Sequence, residues 1–125
     1  MRIISTTDAP QAIGPYSQAV SAGDMVFCSG QVPLDPQTMK LIDGDIAAQT
    51  RQVFSNLSAV LTAAGLSLQE VVKTTVFLQD MGDFPEMNAV YKECFGSHKP
   101  ARATIEVAKL PLGAGVEIEA TAVRS

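Results

Sequence analysis

No stretch of the chain approaches the roughly 18 consecutive apolar residues that a membrane-spanning helix needs. The opening segment, MRIISTTDAP, also lacks the long apolar core of a secretory signal. Both absences set the expectation of a cytoplasmic protein without membrane contact. Basic residues are few and dispersed. Nine Lys and Arg stand against thirteen Asp and Glu for a net charge of −4, and Arg2, Lys40, Arg51, Lys73, Lys92, Lys99, Arg102, Lys109 and Arg124 form no stripe that could track phosphates. Nucleic acid is therefore not an expected partner. The only cysteines, Cys28 and Cys94, lie far apart, match no metal spacing and sit in apolar patterns, which reads as packed, reduced thiols. His98 is the single histidine; in the loop after Gly96 it would have to reach across the structure to activate a serine or cysteine, and it reads as a solvent-facing loop residue. Gly113-Ala114-Gly115 lacks the lysine and spacing of a phosphate loop and reads as a turn. Repeats and low-complexity segments are missing.

What is present describes one domain, residues 1–125. Its composition, 46% hydrophobic and 18% charged, is that of a globular chain, and a chain of 125 residues buries roughly two thirds of its unfolded surface. The stretch SQAVSAGDMVFCSGQ is two strand-like runs joined at Gly23-Asp24, a dipeptide suited to a tight hairpin. From Ile46 to Ala64 apolar residues recur at spacings of three and four, with Asp45 placed to cap the start and Gly65 to end it. VVKTTVFLQD is rich in β-branched residues and reads as a strand. A second helix follows, capped by Asp83 and closed by Gly96, with Phe84, Met87, Val90, Tyr91, Cys94 and Phe95 as its buried stripe. RATIEV and VEIEATAV finish the chain as strands on either side of AKLPLGAG, whose Pro and glycines break regular structure. The fold class is α+β: one mixed sheet of about six strands with two helices on one face. Apolar residues on either face of the strands, such as Val72, Val76 and Phe77, lead us to expect that the uncovered face is buried by self-association.

The chemistry-bearing residues lie in the last two strands. Alternation puts Arg102, Thr104 and Glu106 on one side of their strand, with Ala103, Ile105 and Val107 toward the core, and Glu117, Glu119 and Thr121 on one side of the next. If the two strands pair antiparallel around the intervening loop, one permitted register sets Thr104 opposite Glu117 and Arg102 opposite Glu119. Two readings remain open on this pattern. One is a solvent-facing cross-strand ion pair. The other is a site in which the flat guanidinium of Arg102 forks onto a substrate carboxylate while a nearby glutamate handles water or a proton.

Five segments in order, AIGPYSQAV, FCSGQVP, AAGLSLQEVVKTTVFLQDMGDFPEMNAVY, PARATIEVAKLP and VEIEA, together resemble the RidA (YjgF) family of enamine/imine deaminases, over nearly the whole chain. The resemblance implies a chorismate-mutase-like fold, a homotrimer with active sites between subunits, and hydrolysis of reactive 2-enamine and 2-imine acids of the 2-aminoacrylate and 2-iminobutyrate type. The products are 2-keto acids and ammonia, the role is metabolite detoxification, and no cofactor or metal is expected. The family's carboxylate-binding arginine falls on Arg102 and its water-handling acid on Glu117, with Glu119 beside it; Tyr16, Ser29 and Asn88 fall on substrate-lining positions. Many relatives carry cysteine where this chain has Thr104, so a thiol mechanism there is excluded while a role for its backbone carbonyl survives. The loop Gly96–Lys99 is short and lacks the aromatic residue that relatives place before the proline. Two rivals accompany this reading. One is a non-catalytic trimer that binds small carboxylates as regulatory ligands, against which the pairing of Arg102 with Glu117 argues. The other is ribonuclease activity, against which the acidic charge balance argues.

Overall fold

The hairpin at Gly23-Asp24 opens the sheet. In the computed structural model, which describes residues 1–125, β2 (Ala19–Ala22) turns into β3 (Met25–Gln31) with Ala22 paired to Met25. Gly23 adopts φ 60°, a left-handed conformation that glycine reaches without a Cβ penalty. β1 (Arg2–Ile4) adds to the outer edge of β2.

Two helices follow from the periodicity. α1 spans Ile46–Ala63, and Asp45 caps it as its sequence position implies, Oδ1 accepting from the Ala48 amide at 2.9 Å. α2 spans Phe84–Phe95, and here the expected cap differs. Asp83 makes no side-chain cap, because the chain first makes one tight turn, Met81–Asp83, which Asp80 caps through the Gly82 amide at 2.8 Å. β4 (Val71–Leu78), β5 (Ala101–Glu106) and β6 (Val116–Val123) complete the elements.

The six strands form one mixed sheet in the order β1-β2-β3-β6-β4-β5, with only β4 and β5 parallel. This corrects the expected pairing of the last two strands. α2 is the crossover of a β4-α2-β5 unit, which returns the chain parallel to β4, and β4 lies between β5 and β6. Both helices cover one face. Val53, Phe54, Leu57, Val60 and Leu61 of α1 and Met87, Tyr91 and Phe95 of α2 pack there on Val26, Val76, Leu78, Ile118, Ala120 and Ala122.

The other face is open in the single chain. Phe27 is 46% exposed, Ile105 45% and Val72 45%. Of the other apolar strand residues named for the two faces, Val76 is fully buried under the helices and Phe77 is partly covered. The faces of β5 are likewise the reverse of the expectation: Arg102, Thr104 and Glu106 stand in register with Thr74, Val76 and Leu78 on the helix side, while Ile105 points to the open side.

Candidate active site

Arg102 is held in place from three directions. Its strand position, opposite Thr74, aims the side chain along α2, where its guanidinium carbon lies 4.7 Å from the ring centre of Tyr91 and 5.4 Å from that of Phe84. Nη1 donates to Oδ1 of Asn88 at 2.7 Å. Tyr91 is itself anchored: its hydroxyl is 2.7 Å from Thr74 Oγ1 in the core, and its ring meets Phe54 edge-on at 5.6 Å. Burial raises the Tyr91 hydroxyl above its usual pKa, opposed by the Thr74 hydrogen bond and the charge of Arg102. The one ion pair in the chain is the exposed Arg51–Glu93 contact at 3.7 Å. Arg102 thus has no carboxylate partner, which removes the cross-strand ion pair. Most of the donor fork remains available to a ligand.

A cavity of about 510 Å³ opens beside this guanidinium, bounded by Asn88, Tyr91, Lys92, Phe95, His98, Lys99 and Arg102 among others. Three of the nine basic residues, dispersed along the sequence, therefore meet at one pocket. His98 is not the solvent-facing residue expected: Nε2 lies 2.6 Å from the Val71 carbonyl and the ring packs against Phe95.

Glu117 occupies a different setting. It lies on β6 opposite Phe77 of β4, on the open side of the sheet, at the floor of a second cavity of about 610 Å³ that Ile13, Tyr16, Val32, Leu34, Leu112 and others enclose. Its carboxyl rests over Gly30, where an added Cβ would come within 2.9 Å of Cδ. β3 is irregular in its pairing between Cys28 and Gln31, and a residue without a side chain there leaves the space the acid fills. Burial, and secondarily the charge of Glu119, hold Glu117 above the usual carboxylate pKa.

Tyr16 is 55% exposed on the loop that walls this cavity. The loop is tied at both ends. The buried amide of Gln18 donates to the Pro10 carbonyl at 2.7 Å and to the Thr6 carbonyl at 3.0 Å, while the hydroxyl of Ser29 donates to the Ser17 carbonyl at 2.6 Å. Ser29 thus acts on the base of the loop in this structure. Thr104 places its hydroxyl in a buried position with no hydrogen-bond partner, on the same strand face as Arg102. No group of three His, Cys, Asp or Glu side chains converges closely enough to hold a metal ion.

The structure therefore brings the candidate residues together in two groups. Arg102, Asn88 and, along the strand, Thr104 form one; Glu117, Tyr16 and the base residue Ser29 form the other. The single shared patch expected from the last two strands does not exist within one chain, because β4 separates them and the side chains leave opposite faces. Gly30, Tyr91 and Leu112 were missed. Gly30 had a signal, a glycine inside a strand pattern; Leu112, with φ 60° and 68% exposed, had none.

Residues 6–124 match the family model described as Endoribonuclease L-PSP. The chain belongs to the RidA (YjgF) family. Among its relatives, a RutC family protein of Pyrococcus horikoshii is 54% identical over 96% of this chain and 95% of that protein. The 2-iminobutanoate/2-iminopropanoate deaminase of Mus musculus is 50% identical over 98% of this chain and 91% of its own. Among solved structures, that of E. coli TdcF with bound serine superposes with a TM-score of 0.95 at 47% identity, covering both chains completely. The RidA family thus includes proteins named as imine deaminases at about half identity to this one, alongside others named only for the family.

Proposed function

We propose that this protein is a hydrolytic deaminase of 2-enamine and 2-imine acids, acting at a site completed between two copies of the chain. The observation that carries the reading is the Arg102 guanidinium, fixed by Asn88 and Tyr91 and free of any carboxylate, in a chain whose desolvated acid, Glu117, faces another cavity. A cation built to meet a carboxylate and an acid built to move a proton are both present, and a second copy is needed to join them. The open sheet face, with Phe27 and Ile105 about half exposed, supports self-association; a homotrimer is the assembly we propose. The deaminases among the relatives and the serine bound to TdcF, an amino acid carrying a carboxylate, favour the same substrate class.

In the proposed reaction Arg102 forks onto the substrate carboxylate, with Asn88 holding the fork. An enamine first takes a proton on its terminal carbon and gives one up from nitrogen, becoming the imine. Water then adds to C2 while the C=N π electrons move to nitrogen. Glu117 accepts the water proton and returns it to nitrogen. As the carbinolamine collapses, its hydroxyl proton passes by way of Glu117 to nitrogen, the C2 carbonyl forms, the C–N bond breaks and ammonia leaves, giving the 2-keto acid. A carboxyl held above its usual range is a stronger base once ionised and keeps its proton nearer neutrality, which suits it to both directions of transfer. These steps ask nothing of a redox group. A positioned acid/base supplies roughly 10²–10⁴ in rate, enough for a substrate already labile in water.

The second reading, a trimer that binds small carboxylates without turnover, is favoured by the same serine in TdcF, which is not an imine. The test is a coupled assay in which a serine or threonine dehydratase generates the imine and keto-acid release is trapped as a semicarbazone. Wild type accelerates release and Arg102→Ala does not. If no 2-imine acid is turned over faster while carboxylates still bind, the binding reading replaces the enzyme.

A further inference from the structure

The two cavities differ sharply in charge. The Glu117 cavity is lined by one acid, no base and mostly apolar side chains. The Arg102 cavity has Lys92, Lys99 and Arg102 in its wall, and none of the thirteen acids borders it in a chain whose net charge is −4. These cations converge from separate elements. Lys92 is one helical turn beyond Asn88 on α2, Lys99 comes from the short loop after that helix, and Arg102 from β5. The carboxylate of a simple 2-imino acid would meet Arg102 and leave both lysines without a counter-charge at the same pocket. The cavity, at about 510 Å³, has room for more than a three-carbon acid.

We infer that the favoured substrates are 2-imino acids bearing a second acidic group on the side chain, the first carboxylate on Arg102 and the distal anion between Lys92 and Lys99. This rests on the reading of Arg102 as the carboxylate anchor and narrows its substrate class. Lys92 lies in the last turn of α2, where a cation also complements the helix end without any ligand. Lys99 has no such second role and is the more telling residue. Both lysines are exposed, so their attraction acts at moderate dielectric and is screened by salt, the Debye length being about 10 Å at 0.1 M.

The experiment compares two imines made in situ by amino-acid oxidases, 2-iminosuccinate from D-aspartate and 2-iminopropanoate from D-alanine. It uses wild type, Lys99→Ala and the Lys92→Ala/Lys99→Ala double variant, at low and high salt. Wild type is expected to show a KM for the dicarboxylate about tenfold lower at low salt, equivalent to about 1.4 kcal/mol, a size two exposed ion pairs can supply together. The preference should shrink with salt and fall to about twofold or less in the double variant, with 2-iminopropanoate kinetics little changed. A wild type without the preference, or a preference that survives in the double variant, overturns the inference. Calorimetric binding of 2-oxoglutarate against 2-oxobutanoate separates this from the enzyme reading. A lysine-dependent preference in binding without turnover of either imine sinks the deaminase and keeps the dianion pocket. Turnover without preference does the reverse, and neither binding nor turnover overturns both.

Discussion

Arg102 is held by what surrounds it, and Glu117 by what has been left out around it. On the helix side, an aromatic face, an amide and a strand register fix the guanidinium, and the Tyr91 ring is itself tied to the core through Thr74 and Phe54. On the open side, a missing Cβ at Gly30 makes room for a carboxyl that few polar groups attend, and burial pushes its pKa up. The first arrangement suits recognition, where a rigid donor fork limits the freedom a ligand must lose. The second suits reactivity, because desolvation keeps a carboxyl ready to exchange its proton.

That contrast predicts different kinetic signatures for the two halves. The largest effect is expected from Glu117→Gln, which keeps shape and hydrogen bonding but cannot move a proton. kcat should fall about 10²–10⁴-fold with KM nearly unchanged and the assembly intact by light scattering. Arg102→Ala should fall next, by about 10²-fold in kcat/KM and mainly through KM, the loss expected when a charge-assisted pair to a carboxylate is removed. If both variants lose kcat alone, the division into a binding half and a chemical half is wrong.

Gly30→Ala sharpens the comparison from the acid side. Its Cβ would collide with the Glu117 carboxyl and displace it, for a loss of about 1–3 kcal/mol in stability by thermal melting and a fall in kcat that Arg102 should not feel. The smallest effect concerns pH. A folded-state pKa raised above the ordinary carboxyl value of 4.5 means that the native protein binds this proton more tightly than the unfolded chain. The stability from that proton is fully present below the unfolded value and is lost as pH rises through the folded one. Glu117→Gln should therefore melt above wild type at pH 7 to 8, and the difference should vanish toward pH 4. A variant that melts below wild type at neutral pH would contradict a desolvated carboxyl at this position.

Much of the fold was legible because it rests on local rules. The Gly23-Asp24 turn, the Asp45 cap and the 3.6-residue stripes of both helices declare themselves within a few residues. Strand partnership does not. Alternation along RATIEV gives two faces but not which face meets the helices, and Ile105 looked like core because it is apolar, whereas it lies on the open side. The polar face of β5 could turn toward α2 because Asn88 and Tyr91 receive Arg102 there, a match between residues 14 and 11 positions apart that no periodicity reveals. The sequence pattern did single out Arg102 and Glu117, and their residue types carried that. Their separation within one chain followed from β4 inserting between β5 and β6 and from registers that set Arg102 beside Thr74 on the helix side and Glu117 beside Phe77 on the open side.

The account's central claim is that Arg102 and Glu117 act together across two copies of the chain, and mixing the two impaired variants tests it most directly. Arg102→Ala and Glu117→Gln proteins, unfolded together at equal concentration and reassembled at random, should recover about one quarter of wild-type activity, because about one site in four then draws an intact arginine from one copy and an intact glutamate from its neighbour. With activity read as kcat/KM, each variant taken alone through the same procedure should keep no more than about one hundredth of the wild-type value. If the mixture shows no more activity than the separate variants after verified co-assembly, each site is built within a single chain and the shared-site account fails.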